Sequence, residues 1–221
     1  MSAKKDIIKM ITDMSGSYSA YNIFSDWVEM CALAISNGCH VIHDKIWTAR
    51  EDLYKAIAAK YTEPQLDKFA EMFVLLGDAL TEELSDVLGE IYMEAGMGSK
   101  YTGQFFTPFH LSELCARSAI TQELLESDAP IYVHEPSCGG GGMIIAACKV
   151  LKDAGINYQK RLKVTAQDLD WKGVYMTYLQ LSLIGCKARV IQGDTLTEPY
   201  DASRTPKDRI MYTPGWMGVL L

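Results

Sequence analysis

Apolar positions recur at helical spacing through the first hundred residues. Between Asn22 and Ser36, the side chains of Ile23, Trp27, Met30, Cys31 and Ala34 share one helical face. Thr48-Ala-Arg-Glu51 reads as a capping box with Thr48 as N-cap, and predicts a helix through about Lys60. Thr62-Glu-Pro-Gln65 opens another, whose face is Leu66, Phe69, Phe73, Leu76 and Leu80. A further short helix is expected from Ser85 to about Ala95, stopping at Gly96 and Gly98. No strand pattern interrupts this stretch, so residues 1–98 are expected to form a helical N-terminal domain.

At Gly98 the period changes. Ile131 to His134 reads as a strand, Met143 to Ala154 as a helix and Leu162 to Ala166 as a strand. Trp171 to Leu183 follows as a helix, with strands at Ala188 to Ile191 and Arg209 to Tyr212. This alternation predicts an α/β domain over residues 99–221, built on a parallel, doubly wound, Rossmann-like sheet.

Composition narrows the class. The 221 residues are 48% hydrophobic and 22% charged, with a mean hydropathy of −0.01, which excludes a disordered chain or a coiled coil. No run approaches the ~20 apolar residues that span a bilayer, and the N-terminus lacks the apolar run of a secretory signal. A soluble, cytoplasmic protein is expected. Its six cysteines (Cys31, Cys39, Cys115, Cys138, Cys148 and Cys186) show no CxxC spacing and read as reduced thiols. The net charge of −7 is uneven: residues 1–98 carry 8 Lys and Arg against 16 Asp and Glu, residues 99–221 carry 13 against 12. Such an acidic chain lacks the footprint of a stand-alone nucleic-acid binder. Any DNA contact is expected to come mostly through a partner or a further domain.

The strongest chemical signal is Glu135-Pro-Ser-Cys-Gly-Gly-Gly-Gly-Met143, between a strand and a helix. Its glycines, Gly139 and Gly141 among them, permit a tight turn and close approach of a ligand to the backbone. Ser137 sits in the same turn. An acid at the strand end, Glu135, suits a cationic amino group and would repel a pyrophosphate, which disfavours a nicotinamide-dependent dehydrogenase. The implied ligand is an amino-acid conjugate such as S-adenosyl-L-methionine (AdoMet). Gln167-Asp-Leu-Asp170 ends the second strand: Asp168 can hydrogen-bond both ribose hydroxyls, Leu169 can lie beneath the adenine, and Asp170 caps the next helix. Asp194, after the third strand, is a candidate for the adenine amino group. Cys39, His40 and His43 have ligand-like spacing without a fourth ligand, so no metal is expected. His110 and His134 read as structural. The basic clusters Lys160-Arg161 with Lys163, and Arg204 with Lys207 and Arg209, read as solvated surface.

These segments, with Gly103-Gln-Phe-Phe-Thr-Pro108 ahead of them and Gly193-Asp194 behind, resemble the N6-adenine DNA methyltransferases in motif and order. The strongest resemblance is to modification subunits of type I restriction systems and their relatives on mobile elements. Asp86-Val-Leu-Gly-Glu90 with Tyr92 looks like that family's helical lead-in, and the resemblance covers roughly residues 20–216. It implies AdoMet as cofactor, DNA as substrate, and restriction–modification subunits or a second copy as partners. It also implies that Phe106, Thr107 and Pro108 line the methionine end, with Thr107 capping a helix that begins at Pro108 and the aromatics forming a lid.

The family carries Asn-Pro-Pro and an aromatic residue after its fourth strand. There the Asn and a backbone carbonyl accept the amino protons of a flipped adenine, on which the aromatic stacks. Here the aligned residues are Thr213-Pro214-Gly215-Trp216, so Thr213, Pro214 and Trp216 are the candidate catalytic residues. Loss of one preorganised acceptor costs roughly 3 kcal/mol, about 10²–10³ in rate. The sheet is expected to be incomplete on its C-terminal side. Its fourth strand would form an edge with the apolar tail Met217-Gly-Val-Leu-Leu221, and a partner is expected over residues 208–221.

Overall fold

The structure, a computed structural model, describes residues 3–97 and 105–219. The predicted helix stop at Gly98, Gly103 and Gln104 of the Gln-Phe-Phe-Thr-Pro segment, and Leu220 and Leu221 of the tail lie outside the described residues. Five helices come first: α1 (Ala3–Met14), α2 (Ala20–Gly38), α3 (Lys45–Ala58), α4 (Glu63–Glu82) and α5 (Val87–Glu94). They lead to α6 (Phe109–Ala119), α7 (Gln122–Glu126), β1 (Ile131–Glu135), α8 (Gly142–Asp153), α9 (Tyr158–Arg161), β2 (Leu162–Asp168) and α10 (Trp171–Leu183). β3 (Lys187–Gln192), β4 (Ile210–Tyr212) and α11 (Pro214–Met217) complete the chain. The fold is α/β, with a helical N-terminal part and a four-stranded, mostly parallel sheet. Among the described residues, no helix is long and apolar enough to cross a membrane.

Helix boundaries follow the caps. The start of α3 precedes the expected Thr48 cap because the Asp44 carboxylate accepts from the N–H groups of Ile46 and Trp47 at 2.9 and 3.0 Å. Thr48 lies inside the helix, its hydroxyl donating to Asp44 O at 3.0 Å. α4 starts where the sequence places it, and Gln65 Oε1 accepts from the Thr62 N–H at 2.9 Å. α1 carries Ile7, Ile11 and Met14 on one face, buried against the other helices.

One hydrophobic cluster runs from the helical part into the sheet. Ile7, Trp27, Leu76, Leu88 and Tyr92 join Ile144, Val164, Leu179 and Val190 in it, all essentially without solvent exposure. Each such side chain contributes about 1.5–3 kcal/mol on burial. α10 lies between the sheet and α2 and is buried on every side, which is why its apolar residues do not keep to one stripe. The Trp27 indole donates to Phe69 O at 3.0 Å, fixing α2 on α4.

β1, β2 and β3 are parallel neighbours, with Glu135 opposite Ala166 and Asp168 opposite Gln192. Right-handed crossovers stepping in one direction place α8 and α10 on the same face of the sheet. Burial alternates accordingly: Leu162, Val164 and Ala166 are buried, whereas Tyr132 and His134 on the other face are exposed.

β4 departs from the expected parallel order. It pairs antiparallel with β3, Ile210 opposite Ile191 and Tyr212 opposite Arg189. Residues 193–209 contain a 3₁₀ turn and no α-helix to carry the chain back across the sheet, so it reverses and returns beside β3. Buried Arg50 of α3 holds the start of β4, donating to Ser36 Oγ at 2.7 Å and Ile210 O at 2.9 Å.

Candidate cofactor site

The parallel strands end together at Glu135, Asp168 and Gln192, and the chemistry gathers there. After β1 the chain turns through Gly139 (φ +49°) and Gly141 (φ +93°), left-handed conformations that glycine adopts without a Cβ penalty. A Cβ on Gly139 would come within 2.9 Å of the Phe106 ring, and one on Gly141 within 3.1 Å of Thr177 Oγ1. The turn holds no room to spare.

Asp168 ties β2 to this turn. Its Oδ2 accepts from Gly139 N–H at 2.8 Å and its Oδ1 from Asp170 N–H at 2.9 Å, so the carboxylate is fixed while two lone-pair positions remain for a ligand. Asp170 caps α10 as expected, accepting from Lys172 N–H at 3.1 Å.

α10 supports the turn from below. Thr177 Oγ1 donates to Gly139 O at 2.9 Å, and Gln180 Nε2 donates to Gly140 O at 2.7 Å. Gln180 also donates to Asp86 Oδ1 at 2.8 Å and accepts from Leu88 N–H at 3.1 Å, so one buried amide joins α10, α5 and the glycine turn. Thr177, Gln180 and Asp86 carry no ligand motif of their own. Their signal is polarity without an exposed face: Thr177 and Gln180 stand three residues apart, each flanked by buried apolar side chains of α10.

A cavity of about 320 Å³ opens over this arrangement. Of the expected site residues, Phe106, Thr107, Ser137, Gly139 and Asp168 line it, together with Asp86, Phe105, Ser112, Cys138, Gly140, Gly142 and Met143. Phe106 packs on Tyr92 with ring centroids 5.0 Å apart, while Phe105 is 63% exposed at the rim. Burial pushes the Cys138 thiol well up, so it stays protonated.

Other expected residues stand elsewhere. Glu135 is folded back on its own turn, accepting from Ser137 N–H at 3.1 Å, and is absent from the cavity wall. Leu169 is 68% exposed, and Asp194 closes a local turn by accepting from Leu196 N–H at 2.9 Å, a bond that leads in holding its carboxyl below the usual range. Pro108 is itself the N-cap of α6 and lines a neighbouring hollow, which puts the Thr107 hydroxyl one residue too early to cap the helix. His43 stacks on the Trp47 ring, centroids 4.0 Å apart, and His40 Nδ1 lies 3.3 Å from Ser36 O.

The largest departure concerns Thr213, Pro214 and Trp216. Because β4 runs antiparallel, they lie beside Cys186 and Ala188, at the opposite end of β3 from the cavity. Thr213 is fully buried. Its hydroxyl accepts from Ala188 N–H at 2.9 Å and donates to Cys186 O, doing the work of a strand partner. Trp216 packs against Tyr212 and Arg189.

Comparison with known proteins supplies the family. The profile described as N-6 DNA Methylase matches residues 83–218, more than half of the chain. This chain belongs to the N-6 DNA methylase family. The match begins just before Asp86 and contains the whole cavity wall. Among solved structures, one described as a class I S-adenosylmethionine-dependent methyltransferase from Listeria monocytogenes is similar at 9% identity and a TM-score of 0.46, over 88% of this chain and 54% of that one. Another, described as the type I restriction-modification system methyltransferase subunit from Streptococcus thermophilus, is similar at 14% identity and a TM-score of 0.46, over 91% of this chain and 59% of that one. The chain thus spans a little over half the length of these two structures.

Proposed function

We propose that this chain is the cofactor-binding part of an AdoMet-dependent, adenine-N6 DNA methyltransferase. On this reading it works in the cytoplasm with restriction–modification subunits, mobile-element counterparts or a second copy of itself. The supporting observation is one cavity at the C-terminal ends of the parallel strands where the glycine turn, Asp168 and the Phe106–Thr107 segment converge, in a chain of the N-6 DNA methylase family. The residues fit the cofactor: Asp168 is fixed with acceptor capacity to spare, and Gly139 and Gly140 of the glycine turn line the same cavity.

AdoMet supplies an electrophilic methyl group when bound. Asp168 accepts from ribose hydroxyls, the turn lets the ligand lie against backbone, and Phe105 with Phe106 shields that end from water. Leu169 and Asp194, at the ends of β2 and β3, remain candidates for the adenine end only. Residues 1–98 act as the helical unit, which lends Asp86 to the cavity wall, and residues 99–221 as the unit that carries the rest of the cofactor site.

Target adenine handling is another matter. Thr213, Pro214 and Trp216 sit at the far end of the sheet, so the chain alone is expected to transfer little or no methyl group. A partner chain or a further domain then supplies both the adenine-binding residues and most of the phosphate contact, consistent with a net charge of −7.

Calorimetric titration with AdoMet tests the reading. The wild-type chain should bind, and Asp168→Ala should weaken binding by about 3 kcal/mol by removing charge-assisted hydrogen bonds. A folded wild-type chain that shows no AdoMet binding would overturn it.

A further inference from the structure

Asp86 occupies the N-cap of α5 and is 3% exposed, yet it lines the cavity, its carboxylate lying against Gly140 and Gly142 of the same wall. Its two described donors, Gly89 N–H at 2.9 Å and Gln180 Nε2 at 2.8 Å, both go to Oδ1. Three glycines leave space for it: a Cβ on Gly89 would collide with Oδ2, one on Gly140 would meet Oδ1 at 2.8 Å, and one on Gly142 would meet Oδ2 at 3.0 Å. Among the described residues no Lys, Arg or His forms an ion pair with Asp86, and the neighbouring Glu90 is paired with Lys4. A buried carboxylate without a cation is costly. Burial accordingly raises its pKa above the ordinary carboxylate range. An asparagine would cap α5 equally well, so capping alone does not call for the charge.

A second group in the same wall is unspent. Ser112 is fully buried in α6, and its hydroxyl has no hydrogen-bond partner among the described residues. The cavity wall therefore holds a carboxylate without a cation and a hydroxyl without an acceptor, both among the described residues, beside the glycine turn.

We propose that Asp86 and Ser112 recognise the amino-acid end of the cofactor, Asp86 accepting from the α-ammonium group and Ser112 donating to the α-carboxylate. This rests on the AdoMet reading above and replaces Glu135, whose carboxylate is used within its own turn. Asp86 is then a specificity residue, selecting a zwitterionic nucleoside over one without the amino-acid tail.

The test compares two ligands that differ in that tail: AdoMet, and 5′-methylthioadenosine, which has neither ammonium nor carboxylate. Asp86→Asn should weaken AdoMet roughly 10- to 100-fold, the range of a lost charge-assisted hydrogen bond, and leave 5′-methylthioadenosine unchanged. Ser112→Ala should weaken AdoMet by a smaller factor and likewise spare 5′-methylthioadenosine. Unchanged binding of the tail-less ligand also shows that each variant is folded. Equal loss of both ligands in Asp86→Asn would overturn the inference and leave Asp86 a structural cap, as would undiminished AdoMet binding. Wild-type binding of 5′-methylthioadenosine without any advantage for AdoMet would overturn this inference alone. Failure of wild type to bind either ligand would overturn the cofactor reading with it.

Discussion

Gly139 and Asp86 both line the cavity, and each makes a prediction about stability as well as binding. At Gly139 the backbone is left-handed and a Cβ would press on the Phe106 ring. Gly139→Ala should cost about 1–2 kcal/mol from the left-handed conformation alone and should also weaken AdoMet binding. Chemical denaturation with a parallel titration checks this; a variant neutral in both would mean the turn is not the cradle. Asp86 acts in the other direction. Its folded pKa is raised above the unfolded value, so its contribution to stability is fully present below the unfolded pKa and is lost as pH rises through the folded one. Keeping this carboxylate buried without a cation among the described residues therefore costs stability as the pH rises. Asp86→Asn should melt higher than wild type at pH 7, with the difference shrinking in acid. A lower melting temperature at pH 7 would contradict the account.

Among the elements, the parallel strands and the helices between them were legible because their apolar periods are long and their turns glycine-rich, from Ile131–Glu135 through Lys187–Gln192. Caps resolved less well. Thr48 and Asp44 both have capping chemistry, and only the fold decides that Asp44 takes the first free N–H groups of α3. Gln180 was illegible as a site residue, since a polar side chain in a helix reveals its role only through partners on α5 and the glycine turn. Strand direction was illegible too. The three residues of β4 read the same in either orientation, and the tertiary hold of Arg50 on Ile210 O accompanies the antiparallel one. That placement is testable. Gly215 faces the carbonyl of Gly185, where a Cβ would lie 2.8 Å away, and Thr213 is fully buried. Replacing Thr213→Asn with Gly215→Pro should overpack this end by about 1–3 kcal/mol without raising methyl transfer. A stable double variant with increased transfer would place β4 beside the cavity instead.

For the whole molecule, the division of labour is spatial. The candidate cofactor cavity forms at one end of the sheet from the helical lead-in and the glycine turn that α10 supports, whereas Thr213, aligned with the family's adenine-binding motif, is locked into the other end as a strand partner, with Pro214 and Trp216 just after it. One face of the sheet carries exposed Tyr132 and His134, and β1 lies at its edge, so surface remains for an added chain. Light scattering at micromolar concentration should show an oligomer or, with partner subunits, a complex; a strict monomer under both conditions would contradict that part of the reading.

The most direct test of the central claim, that the chain binds cofactor without using it, is equilibrium dialysis of methyl-tritiated AdoMet with the chain and mixed-sequence DNA in one chamber. Label should accumulate with the protein and remain almost absent from the recovered DNA. No excess label in the protein chamber would contradict the cofactor site, and label transferred to DNA at rates typical of DNA methyltransferases would contradict the separation of Thr213-Pro-Gly-Trp216 from it.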